Sequence, residues 1–206
     1  MKSDPQKLPL HERIRACTAC AEHLPHRPRP IFSCHEQSRI LIVGQAPGRH
    51  VHESGVPWQD ASGRQLRLWL GVSEEEFYDP KRFALMSLGF CYPGRGPAGD
   101  LPPRSECAPL WHPPLLAAMP EIRLILLVGQ YAQKYYLPET SGSTLTENVR
   151  RFREFLPRYF PLPHPSPRNR RWIANNPWCE RDLLPELRKK IRACLGNADI
   201  SSSNSK

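Results

Sequence analysis

No apolar run in this chain of 206 residues reaches the roughly 20 residues that a membrane-crossing helix needs, so no such span is expected. The opening stretch from Met1 to His11 is polar and charged, without the apolar segment of a secretory signal. A cytoplasmic protein with reduced thiols is therefore expected. Two glycine-rich signatures are also missing. No Gly-Lys-Ser/Thr follows the glycine turn at Gly44, which excludes a P-loop, and Gly-x-Gly-x-x-Gly is absent, which excludes a dinucleotide fingerprint. No internal repeat and no break in composition divides the chain. A single domain over 1–195 is expected, with an amino-terminal Cys-x2-Cys arm over 11–36 and a disordered polar tail over 196–206.

Positive charge and proline are present in excess. The formal net charge is +9, which points to a polyanionic partner, nucleic acid first. Arg150, Arg151 and Arg153 form one group; Arg168, Arg170 and Arg171 form another beside a histidine motif. The 24 prolines, set among recurring apolar runs, read as ordered, proline-braced loops and not as disorder. Seven cysteines in a reducing compartment read as free, metal-bound or catalytic.

Apolar runs end abruptly at glycines. Arg39 to Val43 and Ile122 to Val128 read as buried parallel strands, with Phe83 to Phe90 as a third candidate. Helical spacing marks Ser62 to Leu70, Pro113 to Met119, Gln130 to Leu137 and Glu147 to Leu156. Asn176 is expected to cap a last helix running to Leu195. Pro161 to Pro167 cannot be helix. Alternation of strand and helix predicts an α/β fold: a three-layer α/β/α sandwich around a mainly parallel four-stranded sheet. Ligands in such folds bind at the carboxyl ends of the strands, where both the Gly44 turn and the His164 turn would lie.

The Gly44-Gln45-Ala46-Pro47-Gly48 turn offers backbone amides in a frame stiffened by Pro47. Trp58 supplies a flat face, which suits a nucleobase better than a phosphate; core packing is its plainer role. Cys17-Thr18-Ala19-Cys20 together with Cys91 and Cys107 could supply four thiolates, to a [4Fe–4S] cluster or to zinc; the alternative is four unligated thiols.

Gly44 to Gly48, Gly55-x-Pro57-Trp58, Ser62-Gly63-x-x-Leu66 and His164-Pro165-Ser166-Pro167-Arg168, in that order, resemble the uracil-DNA glycosylase superfamily. The branch most similar is the bacterial and archaeal iron–sulfur (family 4-like) uracil-DNA glycosylases, and the likeness covers roughly residues 17–191. It implies a glycosylase that flips out a deaminated base (uracil first) from DNA and hydrolyses its glycosidic bond in base excision repair. No lysine sits near either motif, which argues against a lyase step and for a monofunctional enzyme, and a monomer is expected. Under the resemblance, Trp58 stacks on the base, Gly44, Gln45 and Ala46 face base and water, and His164 stabilises the departing anion. Ser87 reads the base edge, and Ser166 and Arg168 hold neighbouring phosphates. It also implies that Cys17, Cys20, Cys91 and Cys107 hold a structural [4Fe–4S] cluster, with zinc as the alternative.

Two departures stand out. The family's turn commonly reads Gly-Glu-Ala-Pro-Gly, whereas Gln45 and Ala46 bring no carboxylate; Asp60 is the preferred substitute, ahead of Glu53, with helix capping as its plainer role. Family members often carry Asn where Ser87 stands, and one hydroxyl cannot make a bidentate pair. Hypoxanthine or xanthine is therefore an alternative substrate, and a non-catalytic nucleic-acid-binding protein on the same fold is the rival reading. Cys179 and Cys194 are expected to pack as small apolar groups on the last helix, Cys34 has no assigned role, with Cys34-His35 as a lesser alternative ligand pair, and His23, His26, His50, His52 and His112 are expected to be ordinary histidines.

Overall fold

The computed structural model describes residues 9–97 and 99–196. The expected tail therefore lies, apart from Gly196, outside the described residues. Helix α1 (Leu10–Arg15) leads into an arm that reaches β1 (Ile40–Gly44). Helices α2 (Arg49–Ser54), α3 (Ala61–Leu70) and α4 (Glu74–Tyr78) follow, then β2 (Phe83–Ser87). A small hairpin of β3 (Arg95–Gly96) and β4 (Gly99–Asp100) precedes α5 (Cys107–Ala117) and β5 (Leu124–Val128). The chain ends with α6 (Gln130–Tyr136), α7 (Leu145–Arg150), β6 (Tyr159–Leu162), α8 (Arg170–Ala174) and α9 (Leu184–Leu195).

The main sheet runs β2-β1-β5-β6, every neighbour parallel, with Ile40 level with both Phe83 and Leu124. Every residue of β1 and β5 is buried. Both faces are covered, so these strands read as unbroken apolar runs. Alternation sorts their side chains. Ile40, Ile42, Leu124 and Leu126 pack with α3 and α9 on one side. Leu41, Val43, Ile125 and Leu127 pack with Trp111, Leu115 and Ala132 on the other. This is the three-layer α/β/α sandwich. Among the described residues no helix is long and apolar enough to cross a membrane.

Four elements differ from expectation. The helix expected over Glu147 to Leu156 is α7, which ends at Arg150 and gives way to a 3-10 turn over Phe152–Phe155. The fourth strand, β6, contains Pro161 and was hidden in a proline-rich run. It is an edge strand whose even-numbered neighbours face β5: Ile125 N–H donates to Arg158 O at 2.9 Å and Gly129 N–H to Leu162 O at 2.9 Å. Pro161 is buried, but its nitrogen faces away from β5 on this edge strand, where no ladder bond needs an N–H. Helix α5 starts at Cys107, six residues before the expected Pro113, and carries Pro113 and Pro114 inside it. Both prolines and the Pro109 and Leu110 carbonyls they fail to bond lie on its exposed side, where water can serve those groups. Asn176 does not cap the last helix with its side chain. Its Oδ1 accepts from the Trp178 indole at 3.1 Å, and a π turn over Cys179–Leu183 leads into α9.

The amino-terminal arm lies along the outer edge of β2. Ser33 and Leu85 exchange backbone bonds of 2.9 and 2.7 Å, and Ile31 N–H donates to Phe90 O at 2.8 Å. The sheet edge is thereby covered.

Candidate active site

Chain order reverses between β1 and β5, and the loops leaving the carboxyl ends of the strands enclose a cavity of about 580 Å3 there. This is the switch point at which such sheets bind ligands. Gly44 to Gly48 leave β1, Ser87 ends β2, Gly129 follows β5, and His164 to Asn169 follow β6. The cavity wall includes Gly44, Gln45, Ala46, Trp58, Asp60, Ser87, His164, Ser166 and Arg168, so the structure brings every residue expected for catalysis or substrate binding together.

Trp58 shapes the floor. Its φ of 59° makes it the one non-glycine residue at positive φ among the described residues. Two motif glycines give it room. A Cβ on Gly63 would stand 1.7 Å from the Trp58 carbonyl oxygen, and one on Gly44 would stand 2.8 Å from Trp58 Cζ2. The Ser87 hydroxyl stands over the same face of Gly44, 3.4 Å from that Cβ position. The indole is 9% exposed and its ring lies 5.9 Å from the His164 ring at 28°. Trp58 is thus core and cavity wall at once.

His164 is held in one tautomer. Ser166 N–H donates to its Nδ1 at 3.2 Å, so the proton of the neutral ring sits on Nε2. Asn169 Nδ2 donates to its carbonyl at 2.9 Å and fixes the loop. Burial pushes the imidazole pKa below its ordinary value, opposed in part by the nearby Asp60 carboxylate. The ring is therefore neutral at physiological pH and offers Nε2–H as a donor.

The remaining side chains are committed more fully than the sequence suggests. Asp60 Oδ1 accepts from Gly63 N–H at 2.8 Å and caps α3, which is its plainer role realised. Gln45 Nε2 donates to Leu101 O at 3.2 Å, turning its amide toward the segment after β4. Ser166 Oγ accepts from Arg168 N–H at 3.3 Å. The Ser87 carbonyl faces His112 Nε2 at 3.0 Å, and His112 Nδ1 faces Tyr136 OH at 2.7 Å. In the neutral ring Nε2–H donates to that carbonyl and Nδ1 accepts from the phenol. Burial pushes His112 down to about 4. His112, expected to be ordinary, braces the end of β2.

Sequence reasoning missed Asp100, which β4 carries into the cavity wall. It sits in a proline- and glycine-rich stretch with no local pattern, and only the hairpin reveals it. Glu53 does not line the cavity; it pairs with Arg49 at 2.8 Å.

Cys17, Cys20, Cys91 and Cys107 ring a separate apolar pocket with Leu24, Phe90 and Trp111. Each sulfur meets an N–H donor. Trp111 Nε1 reaches Cys17 at 3.3 Å, Phe90 N–H reaches Cys107 at 3.3 Å, Arg29 N–H reaches Cys91 and the Arg104 guanidinium reaches Cys20. Burial pushes Cys91 up to about 11 and Cys107 up to about 12, each further raised by the neighbouring thiols. Four sulfurs that each face a donor suit a metal group placed among them. Among the described residues no three His, Cys, Asp or Glu side chains form a site for one metal ion. Cys34 contacts His11 Nε2 at 3.3 Å, while Cys179 and Cys194 pack in the core.

The profile of the uracil DNA glycosylase superfamily matches residues 31–188. Among solved structures, the solution NMR structure of a candidate uracil DNA glycosylase from Methanosarcina acetivorans is similar at 20% identity, with 81% of this chain and 99% of that chain covered and a TM-score of 0.46.

Proposed function

This chain belongs to the uracil DNA glycosylase superfamily, a family of hydrolases acting on DNA, and from that membership we propose that it excises a deaminated base, uracil first, from DNA. The observation that carries this reading is the His164 donor. Its Nδ1 is occupied by Ser166 N–H, so Nε2–H is the group left for a ligand, in the same cavity as the Trp58 indole and the Gly44 turn.

A base stacked in duplex DNA is out of reach, so the nucleotide is flipped into the cavity. Trp58 stacks on the base, and the Ser87 hydroxyl contacts its edge. As the glycosidic bond lengthens, negative charge grows on the base oxygen, where a preformed neutral N–H donor stabilises it. Ser166 and Arg168 at the cavity wall bind the phosphates beside the flipped nucleotide. The reaction consumes water alone, and the protein acts as a monomer, which light scattering of the DNA complex would check.

We assign a [4Fe–4S] cluster to Cys17, Cys20, Cys91 and Cys107, on the support of the donor facing each sulfur. When bound, it supplies a structural tie between the arm and the loop after β2. Iron, acid-labile sulfide and zinc assays on anaerobically purified protein decide between cluster and zinc.

The test of function is base release from oligonucleotides carrying uracil, hypoxanthine or xanthine, in single strands and opposite each base, with His164→Ala alongside. Release by the native protein that falls at least about 100-fold in the variant supports the reading. A preference for hypoxanthine or xanthine moves the substrate to a purine. DNA binding without release on any substrate leaves a binding protein on this fold.

A further inference from the structure

We propose that Asp100 is the catalytic carboxylate that activates water in this site, and that Gln45 is its positioning residue; the inference rests on the glycosylase reading above. The turn after β1 has no acid of its own. Asp60 has one carboxylate oxygen committed to the α3 cap, and Glu53 lies outside the cavity wall. Asp100 lies in that wall, and its Oδ2 is 3.4 Å from where a Cβ on Gly48 would stand, so the carboxylate overhangs the far end of the same turn.

The surrounding segment is held at several points. Arg95 pairs with Asp100 and Gly96 with Gly99 in the hairpin. Leu101 N–H donates to Gly94 O at 2.9 Å. The Arg168 guanidinium lies over Gly99, with Nη1 only 2.2 Å from a Cβ built there, so the loop after β6 reaches across to the hairpin. Gln45 Nε2 donates to Leu101 O, the carbonyl next to Asp100. That last contact gives the amide a reason to be there. A glutamate at 45 has no proton to donate at neutral pH and would set a carboxylate against a carbonyl oxygen. The amide at the turn thus secures a carboxylate delivered from another part of the chain.

Depth agrees with this assignment. Trp58 is buried at the floor, whereas Asp100 is exposed at the rim. A flipped nucleotide places its base deep and its C1′ at the rim. There a water oxygen bonds to C1′ and gives a proton to the Asp100 carboxylate. The C1′–N bond breaks, and its electron pair leaves on the base, whose oxygen His164 Nε2–H holds. Asp100 passes its proton to solvent and the base anion takes one up. The products are an abasic site and a free base, with one water consumed.

The test compares single-turnover base release by the native protein, Asp100→Asn, Asp100→Glu, Gln45→Glu and the Asp100→Asn/Gln45→Glu double variant, on the substrate the native protein prefers. Affinity for a duplex carrying an uncleavable abasic analogue is measured in parallel, so that misfolding is seen as lost binding. Asp100→Asn is expected to slow release about 100- to 1,000-fold with binding retained. Asp100→Glu should recover part of the rate. Gln45→Glu should slow release too, yet add nothing to Asp100→Asn, because it acts through Asp100. Release by Asp100→Asn within about threefold of native overturns the proposal, as does a Gln45→Glu variant that is faster than native. If the native protein itself binds DNA but releases no base, the glycosylase reading fails and takes this proposal with it. That outcome is visible in the native arm alone.

Discussion

Gly63 is the residue whose identity is most sharply constrained by geometry. A methyl group there would meet the Trp58 carbonyl oxygen at 1.7 Å, and backbone cannot swing away as a flexible side chain can. Gly63→Ala is expected to cost about 3 kcal/mol, at the upper end for overpacking, read as a lower urea midpoint. It should also weaken base release, because Trp58 must move. Trp58 and Ser87 share the space over Gly44, so a larger amide at 87 would crowd the indole and a smaller ring at 58 would make room for it. Ser87→Asn alone should therefore lower kcat/KM on uracil, and Trp58→Phe in the same chain should restore part of it. Equal effects of Ser87→Asn in both backgrounds would show that the two positions do not share that space.

At the scale of elements, His112 ties α5 to the end of β2 and, through Tyr136, to α6. Its folded pKa of about 4 lies below the ordinary 6.5, so the folded protein binds fewer protons than the unfolded chain between those values. The stabilisation is complete above pH 6.5 and is lost as pH falls toward 4, by roughly 3 kcal/mol. Chemical denaturation at pH 7, 6, 5 and 4 should show the native protein losing more stability across that window than His112→Gln does. Parallel pH curves for the two would remove His112 as the cause. His164 is shifted in the same direction, so its donor form persists below pH 6.5.

At the scale of the whole molecule, the charge of +9 makes DNA binding a salt-dependent equilibrium. Arg170 and Arg171 are exposed beside the cavity on α8. Removing Arg171 should weaken binding evenly across sequences and reduce the slope of log K against log salt by about 1. An unchanged slope would place Arg171 away from phosphate. The arm is held to the sheet by few backbone bonds, so the proposed cluster should govern its order. Cys107→Ser is expected to lose iron and to make residues 11–36 sensitive to protease while the sheet remains folded. Protease resistance unchanged by iron loss would show that the arm is secured without it.

The sequence by itself determined the α/β class. Runs such as Ile40 to Val43 and Leu124 to Val128 are apolar at every position, and only a sheet covered on both faces buries such strands completely. It also named residues that meet in the cavity, because the motifs are local: Gly44 and Ser87 end strands, His164 follows one, and Trp58 and Asp60 lie between α2 and α3. β6 stayed hidden because Pro161 is compatible with a strand only at an edge, and edges are defined by neighbours. The start of α5 stayed hidden because its prolines are tolerable only on a solvent face. What each polar side chain does was decided by the tertiary structure. A carboxylate or amide takes whichever partner lies within about 3 Å. Gly63 N–H claims Asp60 from three residues away, while Leu101 O claims Gln45 across 56 positions of sequence. Asp100 enters the site only because the β3–β4 hairpin folds over the turn after β1, a closeness no local pattern encodes.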